Sequence, residues 1–277
     1  MASRFISAVI GIPIILIIAF VGLPWLSVLV AIIACLGTLE FYRMAEKMGA
    51  RPAVLLGITW SLSFTLSAYG YDWMTSWIAL GGVIVTLSWH QIGRLSNVPL
   101  FARIGVTSLG FRHDLVSWLY TTAGAFYVGW TLSLLLLLRQ EINGLEWFLI
   151  VILGTFTTDT GAFLTGKALG KRLLAPDISP NKTVEGAIGG FLTGATAVVL
   201  LAYSLDLNIS ILESIVLGVM IGISAQVGDL IESKLKRAAG VKDAGHIIPG
   251  HGGILDRVDS IVLVIVVVYH FFVWTIK

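Results

Sequence analysis

The stretch that decides the fold runs from Lys234 to Trp274: KLKRAAGVKDAGHIIPGHGGILDRVDSIVLVIVVVYHFFVW. A charged, glycine-rich segment passes without a break into an apolar run long enough to enter a bilayer. Ten of the chain's 34 Asp, Glu, Lys and Arg residues fall between Asp229 and Asp259. The 277 residues as a whole are 57% hydrophobic and only 12% charged, with a mean hydropathy of +0.92. Soluble domains carry about a quarter charged residues, so this composition excludes one. Long apolar runs alternating with short polar breaks predict an all-α, polytopic membrane protein.

Nine candidate spans follow: 5–22, 25–42, 53–70, 74–93, 115–138, 145–165, 184–204, 209–228 and 258–276. Each is close to the roughly 20 residues that cross a hydrocarbon core. The first has a basic start at Arg4 and no small-x-small cleavage site before Pro24, so it reads as an uncleaved span. Leu23 and Pro24 make a tight turn to the second. With the N-terminus inside, 16 of the 18 basic residues lie on the cytoplasmic face, leaving Arg139 and Lys277 outside. That bias predicts an N-in, C-out topology. Residues 1–113 read as an N-terminal set of about four spans, and 114–277 as a C-terminal catalytic region of about five. The connector Ser96–His113 is semi-polar and interfacial.

A single cysteine, Cys35, excludes an internal disulfide and a cysteine zinc site, and reads as a packing residue. A net charge of +2 gives no reason to expect nucleic acid. Gly161-AFLT-Gly166-Lys167 approaches a phosphate-binding P-loop but fails. Ala168 stands where a magnesium-binding hydroxyl belongs, and a membrane helix replaces the preceding strand. Gly186, Gly190 and Gly194, with Gly218 and Gly222, are spaced to pack the seventh span on the eighth.

Chemistry concentrates in two polar loops expected on one face. The first lies between spans six and seven. Asp159 sits among threonines near the end of span six, where an ionised carboxylate needs a partner or a wet cavity. Lys167, Lys171, Arg172 and Lys182 follow, and Ser179-Pro-Asn-Lys-Thr183 reads as an ordered segment with Thr183 as N-cap of span seven. The second polar region begins on span eight. Asp229, Ser233, Lys236 and Arg237 stand at i, i+4, i+7 and i+8, on one helical face. After a break at Gly240 come Lys242-Asp243, the loop Pro249-Gly-His251-Gly252-Gly253, and then Asp256, Arg257 and Asp259. His246 and His251 make a poor zinc pair, and His251 is better suited to contacting substrate. Carboxylates at helix ends suit Mg²⁺, cations suit a polyphosphate, and glycines let backbone approach a ligand. Together they point to metal-assisted phosphoryl or nucleotidyl transfer to a lipid. The plain alternative is a salt-bridge network tying loop to helix.

The residues Ser233-Lys-Leu-Lys-Arg237, Lys242-Asp243 and Pro249-Gly-His-Gly-Gly-Ile-Leu-Asp-Arg-Val-Asp259 resemble the signature of the phosphatidate cytidylyltransferases, the CDP-diacylglycerol synthases. Asp159-Thr-Gly-Ala-Phe, Ser179 to Gly186 and the run from Tyr127 to Arg139 resemble the same family. The likeness covers about 150 residues from Tyr127 onward; the first 120 or so read as generic membrane helices.

The resemblance implies a multi-span, usually dimeric enzyme of the inner (plasma) membrane with its site facing the cytoplasm. Such an enzyme condenses CTP with phosphatidic acid into CDP-diacylglycerol and pyrophosphate, using Mg²⁺ and in some cases K⁺. Mapped on this sequence, Asp229, Asp256 and Asp259 are the metal ligands. Lys236, Arg237 and Arg257 stabilise developing charge, and Lys182 binds a substrate phosphate. Ser233 ligates metal or phosphate, while Lys242, His251, Gly252 and Gly253 contact the nucleotide. Three other readings compete: a CTP-dependent lipid kinase, a transporter, and a CDP-alcohol phosphatidyltransferase. The last lacks its aspartate motif here, and a transporter predicts polar residues reaching both faces.

Overall fold

The computed structural model describes residues 13–70, 72–92, 111–247 and 252–277. Helix α1 (Leu23–Lys47) starts with a proline in its first turn, where the missing N–H costs no hydrogen bond. It is followed by α2 (Val54–Ser67), α3 (Asp72–Ile92) and α4 (Phe111–Gly124), and α4 runs through a π-helical turn (Ala125–Trp130) into α5 (Thr131–Gln140). Then come α6 (Gly144–Leu169), a β-hairpin of β1 (Leu173–Ala175) and β2 (Ser179–Thr183), α7 (Val184–Ser204), α8 (Ile211–Ala238) and α9 (Leu255–Thr275). Residues 13–21 are also helical.

Among the described residues, six helices are long and apolar enough to cross a membrane: Leu23–Lys47, Asp114–Gln140, Gly144–Leu169, Val184–Ser204, Ile211–Ala238 and Leu255–Thr275. The chain is an all-α polytopic membrane protein. Val54–Ser67 is apolar but has 14 residues. At 1.5 Å per residue it spans about 21 Å, short of a full hydrocarbon core. Helical structure falls at each of the nine expected positions, but residues 5–12 of the first, together with Arg4, Arg94, Arg103 and the connector up to residue 110, lie outside the described residues. Many large apolar side chains point outward, including Phe156, Phe163, Ile188, Leu192, Leu200 and Ile223. A surface so apolar suits contact with lipid or with another apolar protein surface.

The helices have two chemically distinct ends. At one, Arg139 donates to the Ala19 carbonyl, Gln140 Nε2 donates to the Ala68 carbonyl at 2.5 Å, and Lys277 pairs with Glu141 at 2.6 Å. The two basic residues expected outside therefore share an end. The C-terminal ends of α1 and α8 meet the start of α9 at the other end, where most of the charge gathers.

Packing of α6, α7 and α8 corrects one expectation. A Cβ on Gly186 would meet the Ala162 carbonyl and Gly166; on Gly190, Ala162; on Gly194, the Thr158 hydroxyl. These three glycines seat α7 on α6, not on α8. The short hairpin between α6 and α7 folds them back as neighbours along their whole length, so the close-approach stripe belongs to that pair. The α7–α8 approach uses the glycines of α8 instead: Gly218 faces Ala195 and Gly222 faces Phe191. Gly161 and Gly166 face Thr193 and Thr183. Packing accounts for them, and no phosphate loop is formed.

Candidate active site

Helix α8 is held from its first residue by a reciprocal cap. The Ser210 hydroxyl accepts from the Glu213 N–H at 3.2 Å, and the Glu213 carboxylate accepts from the Ser210 N–H at 2.6 Å. The helix then runs to Ala238, ten residues beyond the expected end of its span. Asp229, Glu232, Ser233, Lys236 and Arg237 thus all lie on one rigid helix. It stops at Gly240, whose φ of +67° allows the Gly240 N–H to reach the Arg237 carbonyl and the Val241 N–H to reach the Lys236 carbonyl. This is the Schellman arrangement that ends a helix and turns the chain.

The hairpin delivers Lys182 to this helix. Val184 N–H bonds to the Arg172 carbonyl at 2.8 Å, and the Glu185 carboxylate accepts from the N–H groups of Lys171 and Arg172 at 2.9 and 3.1 Å. Thr183 caps α7 as expected, accepting from the Gly186 N–H at 3.1 Å. So braced, Lys182 Nζ lies 2.6 Å from Asp229 Oδ2. The Ser233 hydroxyl donates to the other Asp229 oxygen at 3.3 Å. Arg237 turns back to the hairpin, donating to the Ile178 carbonyl at 3.2 Å. The two loops expected to share a face are therefore joined directly.

A second ion pair lies deeper. Lys236 Nζ is 2.7 Å from Asp256 Oδ1 and also pairs with Glu232, one turn before it on α8. Asp256 Oδ2 accepts from the N–H groups of Gly253 and Ala244, at 2.8 and 2.9 Å. Asp256 and Lys236 side chains are 7% and 15% exposed, against 30% and 26% for Asp229 and Lys182. The distinction matters energetically. An open pair is worth about 1 kcal/mol or less, whereas removing one partner of a buried pair costs about 3–5 kcal/mol.

Asp259 accepts from the Ser260 N–H at 2.7 Å and faces Asp229, Asp159 and Lys236. Asp159 remains accessible, receives a hydrogen bond from the Ser260 side chain, and faces Asp229 and Lys182. The carboxylates of α6, α8 and α9 thus lie near enough to one another to interact electrostatically. Among the described residues, however, no three acidic or histidine side chains are grouped to hold a metal ion. Asp229 and Asp256 face different lysines, so Asp229, Asp256 and Asp259 do not gather into one ligand set. Hard oxygen donors supplied one or two at a time still fit Mg²⁺, which completes its shell with water and phosphate oxygens. They do not form a cage built wholly from protein.

The remaining expected residues take varied places. Lys242 is exposed on the loop, and Arg257 is exposed on the first turn of α9. His251 lies outside the described residues. Gly252 has a φ of +82°, and a Cβ there would stand 2.6 Å from Asp256 Oδ2. A Cβ on Gly253 would strike the Glu40 carboxylate. The glycines do permit close approach, and the groups that approach are the protein's own carboxylates.

Two residues escaped the sequence reading. Glu232 is fully buried beside Lys236. Glu40, on α1, is fully buried and accepts from the N–H groups of Ile254 and Leu255 at 3.1 and 2.8 Å. Each is an acidic residue in an apolar helix, which by itself marks a position of interest in a membrane protein.

The chain is similar to several proteins of known name. A phosphatidate cytidylyltransferase of Bacillus subtilis (strain 168) is 31% identical over 276 residues, 97% of this chain and 96% of that protein. One from Staphylococcus haemolyticus is 34% identical over 195 residues, 68% of this chain and 74% of that protein. One from Staphylococcus saprophyticus is 42% identical over 139 residues, 50% of this chain and 53% of that protein. The sequence model of the cytidylyltransferase family matches residues 2–275, and the chain belongs to that family.

Proposed function

We propose that this chain is a phosphatidate cytidylyltransferase, condensing CTP with phosphatidic acid to give CDP-diacylglycerol and pyrophosphate. The observation that carries the reading is that α8 gathers Lys182 from the hairpin onto Asp229 and Asp256 from α9 onto Lys236, at one end of a membrane helix assembly. Cations gathered at that end suit a triphosphate arriving from water and a phosphate headgroup arriving from the lipid. The name carried by the Bacillus subtilis relative, matched over nearly the whole chain, supports the same reaction.

In this reaction an oxygen of the phosphatidate phosphate attacks the α-phosphorus of CTP. The new P–O bond forms as the bond to the bridging oxygen breaks, and pyrophosphate leaves with the electron pair. The nucleophile is already an anion at neutral pH, so no general base is assigned. Lys182, reaching in from the hairpin, binds a substrate phosphate. Lys236, Arg237 and Arg257 stabilise the charge that builds on the transferring and leaving groups. Ser233 supplies a hydroxyl to metal or phosphate, and Lys242, His251, Gly252 and Gly253 meet the nucleotide. Asp229 and Asp256, with Asp259 close by, would supply oxygen ligands to Mg²⁺, which would neutralise the triphosphate, with K⁺ as a second cation.

The protein is multi-pass, with nine spans, N-terminus in and C-terminus out, in the plasma membrane with the site facing the cytoplasm. Support comes from the basic residues: Arg139 and Lys277 share the end away from Lys182 and Lys236. Residues 114–277 carry most of the catalytic groups, and the working unit is a homodimer.

The test uses detergent-purified full chain with CTP, Mg²⁺ and phosphatidate, following pyrophosphate and lipid product. Phosphatidate-dependent pyrophosphate release establishes the reaction. Release of CDP with a lipid alcohol as acceptor would instead mark a kinase, and no reaction in a folded preparation would leave the charged end structural.

A further inference from the structure

The N-terminal helices look generic in sequence, yet one of them reaches the reaction centre. Helix α9 begins at Leu255 without a side-chain cap from its own N-cap residue, Ile254. Its first N–H groups need external acceptors, because no helical carbonyl precedes them. Glu40 supplies both from α1, more than 200 residues away, with one carboxylate oxygen on each of Ile254 and Leu255. A buried carboxylate costs several kcal/mol unless it is paired or hydrogen-bonded, and the positive end of a helix dipole is a fitting partner.

Glu40 also shapes the loop that precedes α9. A Cβ on Gly245 or on Gly253 would run into its carboxylate, so the loop passes it on both sides. The same loop folds around Asp256 through the N–H groups of Ala244 and Gly253. Consecutive loop residues therefore alternate between two carboxylates: Ala244 on Asp256 and Gly245 against Glu40, then Gly253 on Asp256 and Ile254 on Glu40. The turn that carries Asp256 to Lys236 therefore rests directly on Glu40.

We infer that Glu40 is a positioning residue for nucleotidyl transfer, holding the α9 turn, with Ala244, Gly245 and Gly253 beside it, in register with Lys236. This rests on the reaction proposed above. The test compares wild type, Glu40→Gln, Glu40→Ala and Glu40→Asp as purified full chains. It measures kcat and KM for CTP, melting temperature, and hydrogen exchange of the 241–256 and 171–183 segments. Glu40→Gln and Glu40→Ala are expected to lower kcat/KM for CTP about a hundredfold, the scale of a misplaced catalytic group. Exchange should rise in 241–256 and stay unchanged in 171–183, Glu40→Gln should melt like wild type, and Glu40→Asp should recover about tenfold over Glu40→Ala.

The inference is overturned if Glu40→Gln keeps CTP kinetics within about threefold of wild type. It is equally overturned if activity across the variants follows melting temperature while exchange rises evenly. Should wild type itself make no product from CTP and phosphatidate, the reaction assignment fails. The exchange comparison alone then decides whether Glu40 sets the loop.

Discussion

Two polar loops meet at the charged end, and they are ordered in opposite ways. Residues 170–183 build their own structure. The β1–β2 pairing, the Glu185 carboxylate on the Lys171 and Arg172 N–H groups and the Thr183 cap all link residues fewer than 15 apart. Among the described residues of the other loop, 241–247 and 252–254 have almost no regular structure after the Schellman turn at Gly240. They are held by two carboxylates that come later on α9 and far earlier on α1: Asp256 and Glu40. A loop built from local bonds presents one residue, Lys182, to Asp229 on α8. A loop wrapped around buried charges ties its own shape to the ion pair between Lys236 and Asp256.

The largest expected effect separates the two loops outright. Asp256→Asn should cut phosphatidate-dependent pyrophosphate release about a thousandfold, as expected when a charge at a reacting centre is lost. Hydrogen exchange should accelerate in 241–247 and remain slow in 173–183. Equal loosening of both segments would break the comparison. Lys182→Ala comes next, with activity down about a hundredfold. Its melting free energy should fall by less than about 1 kcal/mol, because the Lys182–Asp229 pair is partly open. A stability loss much larger than its activity loss would make that pair structural.

Gly252→Ala and Gly240→Ala then sharpen the account of the wrapped loop. Both glycines have positive φ, but only Gly252 has Asp256 against its would-be Cβ, while Gly240 has open space. Gly240→Ala should cost about 1–2 kcal/mol from backbone strain alone. Gly252→Ala should cost about 1–3 kcal/mol and lower activity as well, read by melting and pyrophosphate release on the same preparations. If the two variants behave alike, crowding around Asp256 plays no part. Thr183→Ala should have the smallest effect, about 1 kcal/mol from a lost helix cap, with Thr183→Ser near wild type in a detergent melt.

The amino-acid sequence alone determined whatever depends on neighbours along the chain. Apolar length placed the helices, the spacing of Asp229, Ser233, Lys236 and Arg237 set one face of α8, and Thr183 marked the start of α7. Glycine at position 240 marked the end of α8 for the same local reason. Tertiary structure alone decided which surfaces meet. It seated Gly186, Gly190 and Gly194 on α6, and gave Asp229 and Asp256 to different lysines. It also brought Glu40 to the first turn of α9, a partnership that no spacing encodes. Backbone propensity and apolar period act over a few residues, whereas a buried carboxylate finds its donors wherever packing puts unsatisfied N–H groups.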